Sequence, residues 1–332
     1  MKKVLTVLLV LLVMTSVFAQ GGRETKATVK QEGVHTVALA NINEKGVFGK
    51  LVKLGFQEAA ARRGWNLVYV DNNADGQTAV SNAEYLALRG DVEMVVNLNV
   101  DQSVGQTIMD ILNEAEIGVI AVDIALPGAP FYGIDSASMG TMTGEWMADW
   151  VKKNWGGECD YVVLITQIAS GDEVQLRVRN TAVAMKNAGI KIGQVVEIEG
   201  ENDASVVQRR MTDFLTAHPR DEKIIVFTIN ENAGVGAQAA AETSGREKDV
   251  RIVSANCNAD FTEMIYATKG QGSWFATNGN FPHLYGEETM QLMERVFAGE
   301  KLEGKYPCSM IMLTYDNIAE HFPLDNLPWA KL

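Results

Sequence analysis

Residues 92–123 read VEMVVNLNVDQSVGQTIMDILNEAEIGVIAVD, and this stretch decides the fold class. Val92 to Val96 is nearly all apolar, the pattern of a strand buried on both faces. Val104 to Ala115 follows at helical spacing, and Ile117 to Val122 is a second apolar run. Strand, helix and strand within about thirty residues form a crossover unit, which needs a parallel sheet covered by helices.

The same rhythm extends upstream. Val34 to Ala40 and Leu67 to Val70 read as strands. Phe48, Leu51, Val52, Gly55, Phe56 and Ala59 mark a helix that Arg62-Arg63-Gly64 closes, and Ala79 to Leu88 marks another. Downstream, Asp123 to Pro130 holds two prolines and a glycine and interrupts the pattern. A second series starts after Asp135. Its helices are expected at 139–155, 176–188, 206–217, 232–242, 261–269 and 284–298, and its strands at 161–166, 195–198, 224–228, 250–255 and 273–276. The fold class is therefore α/β, with two Rossmann-like lobes of parallel sheet. Such lobes leave a cleft outside the carboxyl ends of their strands.

The chain has 332 residues, 47% hydrophobic and 21% charged, with a formal net charge of −13. Acidity of this size argues against nucleic acid as a partner, since phosphate contacts need an excess of Lys and Arg. Met1-Lys2-Lys3 precedes an uncharged Val- and Leu-rich run that ends at Val17-Phe18-Ala19. That is the pattern of an export signal over 1–19, shorter than the about 20 apolar residues of a spanning helix. Residues 20–32 read as a disordered polar leader. The expected location is periplasmic or secreted. Cys159, Cys257 and Cys308 are spaced too widely for a metal pattern and are expected to be free and mostly buried, with one chance pair as the alternative.

Polar residues collect just after the strands. They are Asn41 and Asn43, Asn97 and Asn99, Asp123, Gln167, Asn230 and Asn232, Asn256 and Asn258, and Asn278 and Asn280. Amides both donate and accept, and a carboxylate accepts twice, which suits sugar hydroxyls. Phe48, Phe131, Trp274 and Phe281 are candidates to stack on an apolar sugar face. Asn and Asp are also ordinary at helix caps and turns, so each position alone is ambiguous. Enzyme signatures are weak. There is no G-x-S-x-G elbow and no phosphate-binding P-loop, the four histidines are scattered, and Gly234-Val235-Gly236 is a lone short pair. No catalytic residue, cofactor or metal is expected.

In order along the chain stand Gly55-Phe56-Gln57-Glu58-Ala59-Ala60, Leu88-Arg89-Gly90, Val119-Ile120-Ala121-Val122-Asp123, Leu215-Thr216-Ala217-His218-Pro219, Asn230-Glu231-Asn232-Ala233-Gly234-Val235-Gly236-Ala237 and Gly299-Glu300-Lys301. With these the chain resembles the type I periplasmic sugar-binding proteins of ABC transporters, the ribose- and galactose-binding group, over roughly Val34 to Met312. The lac-repressor family shares this body but carries a DNA-binding helix pair where this chain has an export signal.

The resemblance implies lobes at 33–135 plus 278–306 and at 136–277 plus 307–320, a tail at 321–332, and a three-segment hinge near Asp135, Thr277 and Tyr306-Pro307. It implies a ligand set of Phe48 or the adjacent Val47, Asn97, Asp123, Arg179, Asn202, Asn230, Asn256, and Asn280 or the nearby Asn278. Three positions depart from the family pattern. Ile124 stands where pentose binders have Arg, Asn202 where an aromatic is usual, and Asn256 where Asp is common. The implied partners are a sugar or polyol and a membrane permease, with the protein a monomer. Presentation of the ligand to a sensor kinase or chemoreceptor is the alternative.

Overall fold

The computed structural model describes residues 33–332. The export signal and polar leader expected at 1–19 and 20–32 lie outside the described residues.

The first series runs β1 (Thr36–Asn41), α1 (Val47–Arg63), β2 (Asn66–Asp71), α2 (Gly76–Arg89), β3 (Met94–Asn97), α3 (Gly105–Glu114), β4 (Gly118–Val122) and β5 (Phe131–Gly133). The second runs α4 (Ser136–Trp155), β6 (Glu158–Thr166), α5 (Asp172–Asn187), β7 (Lys191–Glu199), α6 (Ala204–Ala217), β8 (Ile224–Thr228), α7 (Glu231–Thr243), β9 (Val250–Asn256), α8 (Ala259–Thr268) and β10 (Trp274–Gly279). The chain then adds α9 (Tyr285–Phe297), β11 (Lys305–Pro307), β12 (Ile311–Thr314) and the short α10 (Ile318–His321).

These strands form two six-stranded sheets. The first has the order β11-β5-β4-β3-β1-β2 and is parallel throughout. The second has the order β12-β10-β9-β8-β6-β7 and is parallel except for β12. The chain passes between sheets three times: after β5, between β10 and α9, and between β11 and β12. Thr277, expected at a crossing, lies inside β10, and the crossing follows Gly279.

The apolar periods become cores. One face of the first sheet buries Leu39, Val52, Phe56, Ile120 and Met293 under α1 and α9. Its other face buries Val95, Leu86, Ile108 and Leu112 under α2 and α3. The second lobe packs Val163, Met211, Phe227, Ile252, Phe261 and Trp274 in one continuous core. Each such side chain contributes about 1.5–3 kcal/mol relative to exposure. Phe322, beyond α10, is fully buried in this second core and stacks on Phe281 and Trp329, while Lys331 pairs with Glu58 of α1.

Helix starts use short polar side chains. Asp75, Asp135, Asp203, Asn230 and Asn258 accept backbone N–H bonds at the starts of α2, α4, α6, α7 and α8. Each cap is worth about 0.5–2 kcal/mol. Close approach also needs glycine where α4 meets α5. A Cβ on Gly140 would lie 2.3 Å from the Leu176 carbonyl oxygen, and one on Gly144 2.4 Å from that of Thr181. This contact fixes how α5 presents its side chains. The three cysteines are free and buried. No helix among the described residues is long and apolar enough to cross a membrane.

Candidate functional site

The carboxyl ends of both sheets face one cleft of about 580 Å³, within the about 300–1,000 Å³ of small-molecule sites. From the first lobe, the segment after β1 supplies Ile42, Asn43, Val47 and Phe48, that after β2 supplies Asn73 and Ala74, that after β3 supplies Leu98, Asn99 and Val100, and that after β4 supplies Asp123 and Ile124. From the second lobe, Gln167, Ser170 and Arg177 follow β6, Asn202 and Asp203 follow β7, Ile229 to Asn232 follow β8, and Asn256, Asn258 and Asp260 end or follow β9. Among the described residues, no group of three or more His, Cys, Asp and Glu side chains could hold a metal ion.

Backbone strain gathers here. Asn73, Ala74, Asp123, Asn202 and Asn256 line the cleft with positive φ between 51° and 108°. Such conformations cost about 1–3 kcal/mol each and persist only where the surroundings enforce them.

Asp123 is held from behind. Its Oδ1 accepts the Ile134 N–H at 3.0 Å and the Tyr285 hydroxyl at 3.2 Å. Its Oδ2 has no hydrogen-bond partner among the described residues, so it remains an acceptor. Burial pushes this carboxyl above its ordinary range, and the positive charge of Arg177 opposes that shift. Arg177 is only 9% exposed. Its Nη1 donates to the Ile229 carbonyl at 3.0 Å, and its buried Nε has no partner. Burial lowers its pKa, and Asp123 counteracts. A buried donor, Arg177 Nε, thus remains unsatisfied in the cleft, a costly arrangement that a hydroxyl ligand would relieve, while Asp123 Oδ2 is open to accept.

The second-lobe amides brace one another. Asn230 Nδ2 donates to Gln167 Oε1 at 3.2 Å and to Asn202 Oδ1 at 3.0 Å, while its own Oδ1 caps α7. Asn232 Nδ2 donates to the Asn202 carbonyl at 2.7 Å. Gln175 exchanges two hydrogen bonds with the Gln167 backbone. Asn256 Oδ1 is buried and unpartnered. At one margin the lobes touch, through a Ser170 hydroxyl bond to the Val100 carbonyl at 3.2 Å and a Lys305–Glu173 ion pair.

Of the residues expected from sequence, Phe48, Asp123, Asn202, Asn230 and Asn256 line the cleft. Three do not. Arg179 projects from the outer face of α5 and pairs with Glu197 at 2.9 Å and Asp172 at 3.6 Å. Two residues along a helix turn a side chain by roughly 200°, so Arg177 takes the inward place. Asn97 is 1% exposed and lies behind Asn99, whose Nδ2 donates to it at 3.2 Å. Asn280 is fully buried, and its Nδ2 donates at 2.5 Å to the Tyr285 hydroxyl that in turn supports Asp123. Among the candidate aromatics, only Phe48 reaches the cleft. Trp274 is buried with its indole N–H on Ser254, Phe281 stacks on Phe322, and Phe131 lies under Lys305. Arg177 was marked by its phase with the buried Val174, Val178 and Thr181.

A family model described as periplasmic binding protein domain matches residues 37–301. The chain is 27% identical over 278 residues to the ribose import binding protein RbsB of Salmonella typhimurium, covering 83% of this chain and 89% of that protein. Two solved structures share the fold at a TM-score of 0.74. One is an ABC transporter periplasmic solute binding protein from Actinobacillus succinogenes with bound D-allose, 16% identical, covering 86% of this chain and 100% of that one. The other is a Caulobacter myo-inositol binding protein bound to myo-inositol, 20% identical, covering 88% and 97%.

Proposed function

The chain belongs to the periplasmic binding protein domain family, and on that premise we propose that it is an exported receptor for a monosaccharide or related polyol. It captures the ligand between its lobes and delivers it to an ABC permease, without chemical change to the ligand. The observation that carries this reading is the presence of Asp123, with its Oδ2 free of hydrogen bonds, and of the buried, unpartnered Arg177 Nε in one cleft whose other lining residues are mainly amides and apolar side chains.

A ligand hydroxyl donates to one group and accepts from the other at the same time. The amides around them repeat that dual function, and Phe48 offers a ring edge or face to the apolar side of a sugar. The relatives' named ligands, ribose, D-allose and myo-inositol, are all small polyhydroxyl compounds. Ile124 is 7% exposed and packs with the second-lobe core. It offers no hydrogen bond, so the ligand is expected to present an apolar patch or a missing hydroxyl there.

Lobes at 33–135 plus 278–306 and at 136–277 plus 307–320 would close about the three crossings, drawing both walls onto the ligand. Mass spectrometry of small molecules that co-purify with the chain, with a thermal-shift panel of sugars and polyols, tests the reading. A true ligand at 100 times its Kd stabilises the fold by about 2.7 kcal/mol. A panel with no shift, or a bound ligand that is turned over on long incubation, would overturn it. Small-angle scattering with the ligand should show a smaller radius of gyration.

A further inference from the structure

Glu231 lines the cleft, yet its carboxylate faces inward and is 1% exposed. It is the first residue of α7. Its Oε2 accepts the Asn258 N–H at 2.5 Å, with the Cys257 N–H a further donor, and its Oε1 accepts the Thr277 hydroxyl at 3.1 Å. Thr277 Oγ1 accepts from Ser254 at 2.9 Å, and Ser254 Oγ accepts from the Trp274 indole N–H at 2.9 Å. All of these side chains are buried.

The loop that Glu231 grips is the strained one. Asn256 has φ 108° and Cys257 φ 60°, two successive non-glycine residues in left-handed backbone. That turn sets the places of the Asn256 and Asn258 side chains at the cleft wall. An isolated loop would relax it, since such backbone costs about 1–3 kcal/mol per residue.

We propose that Glu231 is a positioning residue for ligand capture: its buried carboxylate holds the Asn256–Asn258 turn open to the cleft through a directional hydrogen-bond chain that ends at Trp274. This rests on the reading above that the cleft binds a small polyhydroxyl ligand.

The direction of the chain follows from its ends. An indole N–H can only donate. Trp274 therefore gives to Ser254, Ser254 to Thr277, and Thr277 to Glu231, which must accept. An ionised Glu231 satisfies every donor. A protonated Glu231 donates to Thr277 instead, reverses the chain, and leaves the Ser254 hydroxyl without its acceptor. Burial raises the Glu231 pKa to about 8, against the pull of its N–H and O–H donors. The titratable groups that face it are the Cys257 thiol and, on α8, Asp260, while β9 and β10 present only the Ser254 and Thr277 hydroxyls. The turn is therefore held better above that pH than below it.

The test uses the full chain, Glu231→Gln and Thr277→Val. Without ligand, the indole N–H resonance of Trp274, assigned with Trp274→Phe, is followed by NMR from pH 6 to 10. The wild type should show a titration step that both variants lack. In calorimetry with D-ribose, D-allose and myo-inositol, the sugar that binds should bind more tightly at pH 9 than at pH 7. Glu231→Gln should weaken it about tenfold, the scale of one lost buried charged hydrogen bond, and remove the pH dependence. A Trp274 resonance that does not titrate in the wild type, or a Glu231→Gln affinity equal to wild type at both pH values, overturns the proposal. Should Glu231→Gln fail to fold, Thr277→Val carries the same two readouts. A wild type that binds none of these three compounds nor any other member of the panel of sugars and polyols overturns the reading of the cleft, while the indole titration decides on Glu231 by itself.

Discussion

The two walls of the cleft are built from different chemistry. The first-lobe wall carries six apolar side chains, Ile42, Val47, Phe48, Leu98, Val100 and Ile124, with only three amides, Asn43, Asn73 and Asn99, around one half-buried carboxylate, Asp123. The second-lobe wall carries six amides, Gln167, Asn202, Asn230, Asn232, Asn256 and Asn258, and the buried Arg177. A ring sugar has the same asymmetry, with apolar C–H faces and hydroxyl edges. One wall is suited to hold a face and the other to count hydroxyls. Four of these amides, Gln167, Asn202, Asn230 and Asn232, are already tied to one another, so little of their rotamer freedom would be lost on binding a ligand.

The sharpest way to break this comparison is to exchange what the walls share. Asp123→Asn or Arg177→Leu should weaken ligand binding about a hundredfold or more, because either change leaves the other group buried without its complement. Calorimetry against the bound sugar measures it. If Arg177→Leu binds normally, the second wall does not work as described.

A second contrast is electrostatic. Glu231 in the second lobe has its pKa raised by burial to about 8 from 4.5. Across that window the folded chain holds a proton that the unfolded chain has lost. Stability from this group is thus fully present below about 4.5 and falls as pH rises, by up to about 1.4 kcal/mol per pH unit. Glu287 in the first lobe is the reverse. Hydrogen bonds from Arg63, then Arg62, hold its carboxyl far below the ordinary range. Its contribution is present above 4.5 and is lost as pH falls towards its folded value. Urea titrations at several pH values should show that Glu231→Gln flattens the neutral slope and Glu287→Gln flattens the acid one.

Phe48→Ala removes the only aromatic ring in the lining among the described residues. Stacking is worth about 0.5–1.5 kcal/mol, so affinity should fall up to about tenfold with the hydroxyl preferences unchanged. The smallest effect is expected at Arg179. Its exposed pairs with Glu197 and Asp172 are of a kind worth about 0–1 kcal/mol. Arg179→Ala should leave affinity within about twofold of wild type, in contrast to the large loss expected for Arg177→Leu two positions earlier.

That pair also shows where sequence reasoning stops. The long elements were legible because burial imposes a period, and α1, α5 and β8 appear near the expected places. β5, β11 and β12, at three or four residues each, were not foreseen, since such lengths carry no period to read. Polar residues after strands pointed to the cleft because the sheet order brings strand ends together. Their inward or outward direction was not legible. Asn97 and Asn280 follow the same strand-end logic as Asn256, but local backbone turns them into the interior. Glu231 was passed over because an acidic residue at a helix start looks like an ordinary dipole contact, and its burial comes only from the packing of β9 and β10.

The hydrogen bonds from Asn280 to Tyr285 to Asp123 run from the end of the second sheet, over a chain crossing, to the carboxylate that lines the cleft. If the lobes close on a ligand as proposed, recognition and motion would share a working part. On that reading, a designer who retunes Asp123 for a different ligand would also change the load on that crossing and so the resting angle of the lobes. Conversely, selection for faster release acting on Asn280 or Tyr285 would rewrite ligand preference from positions the ligand never meets.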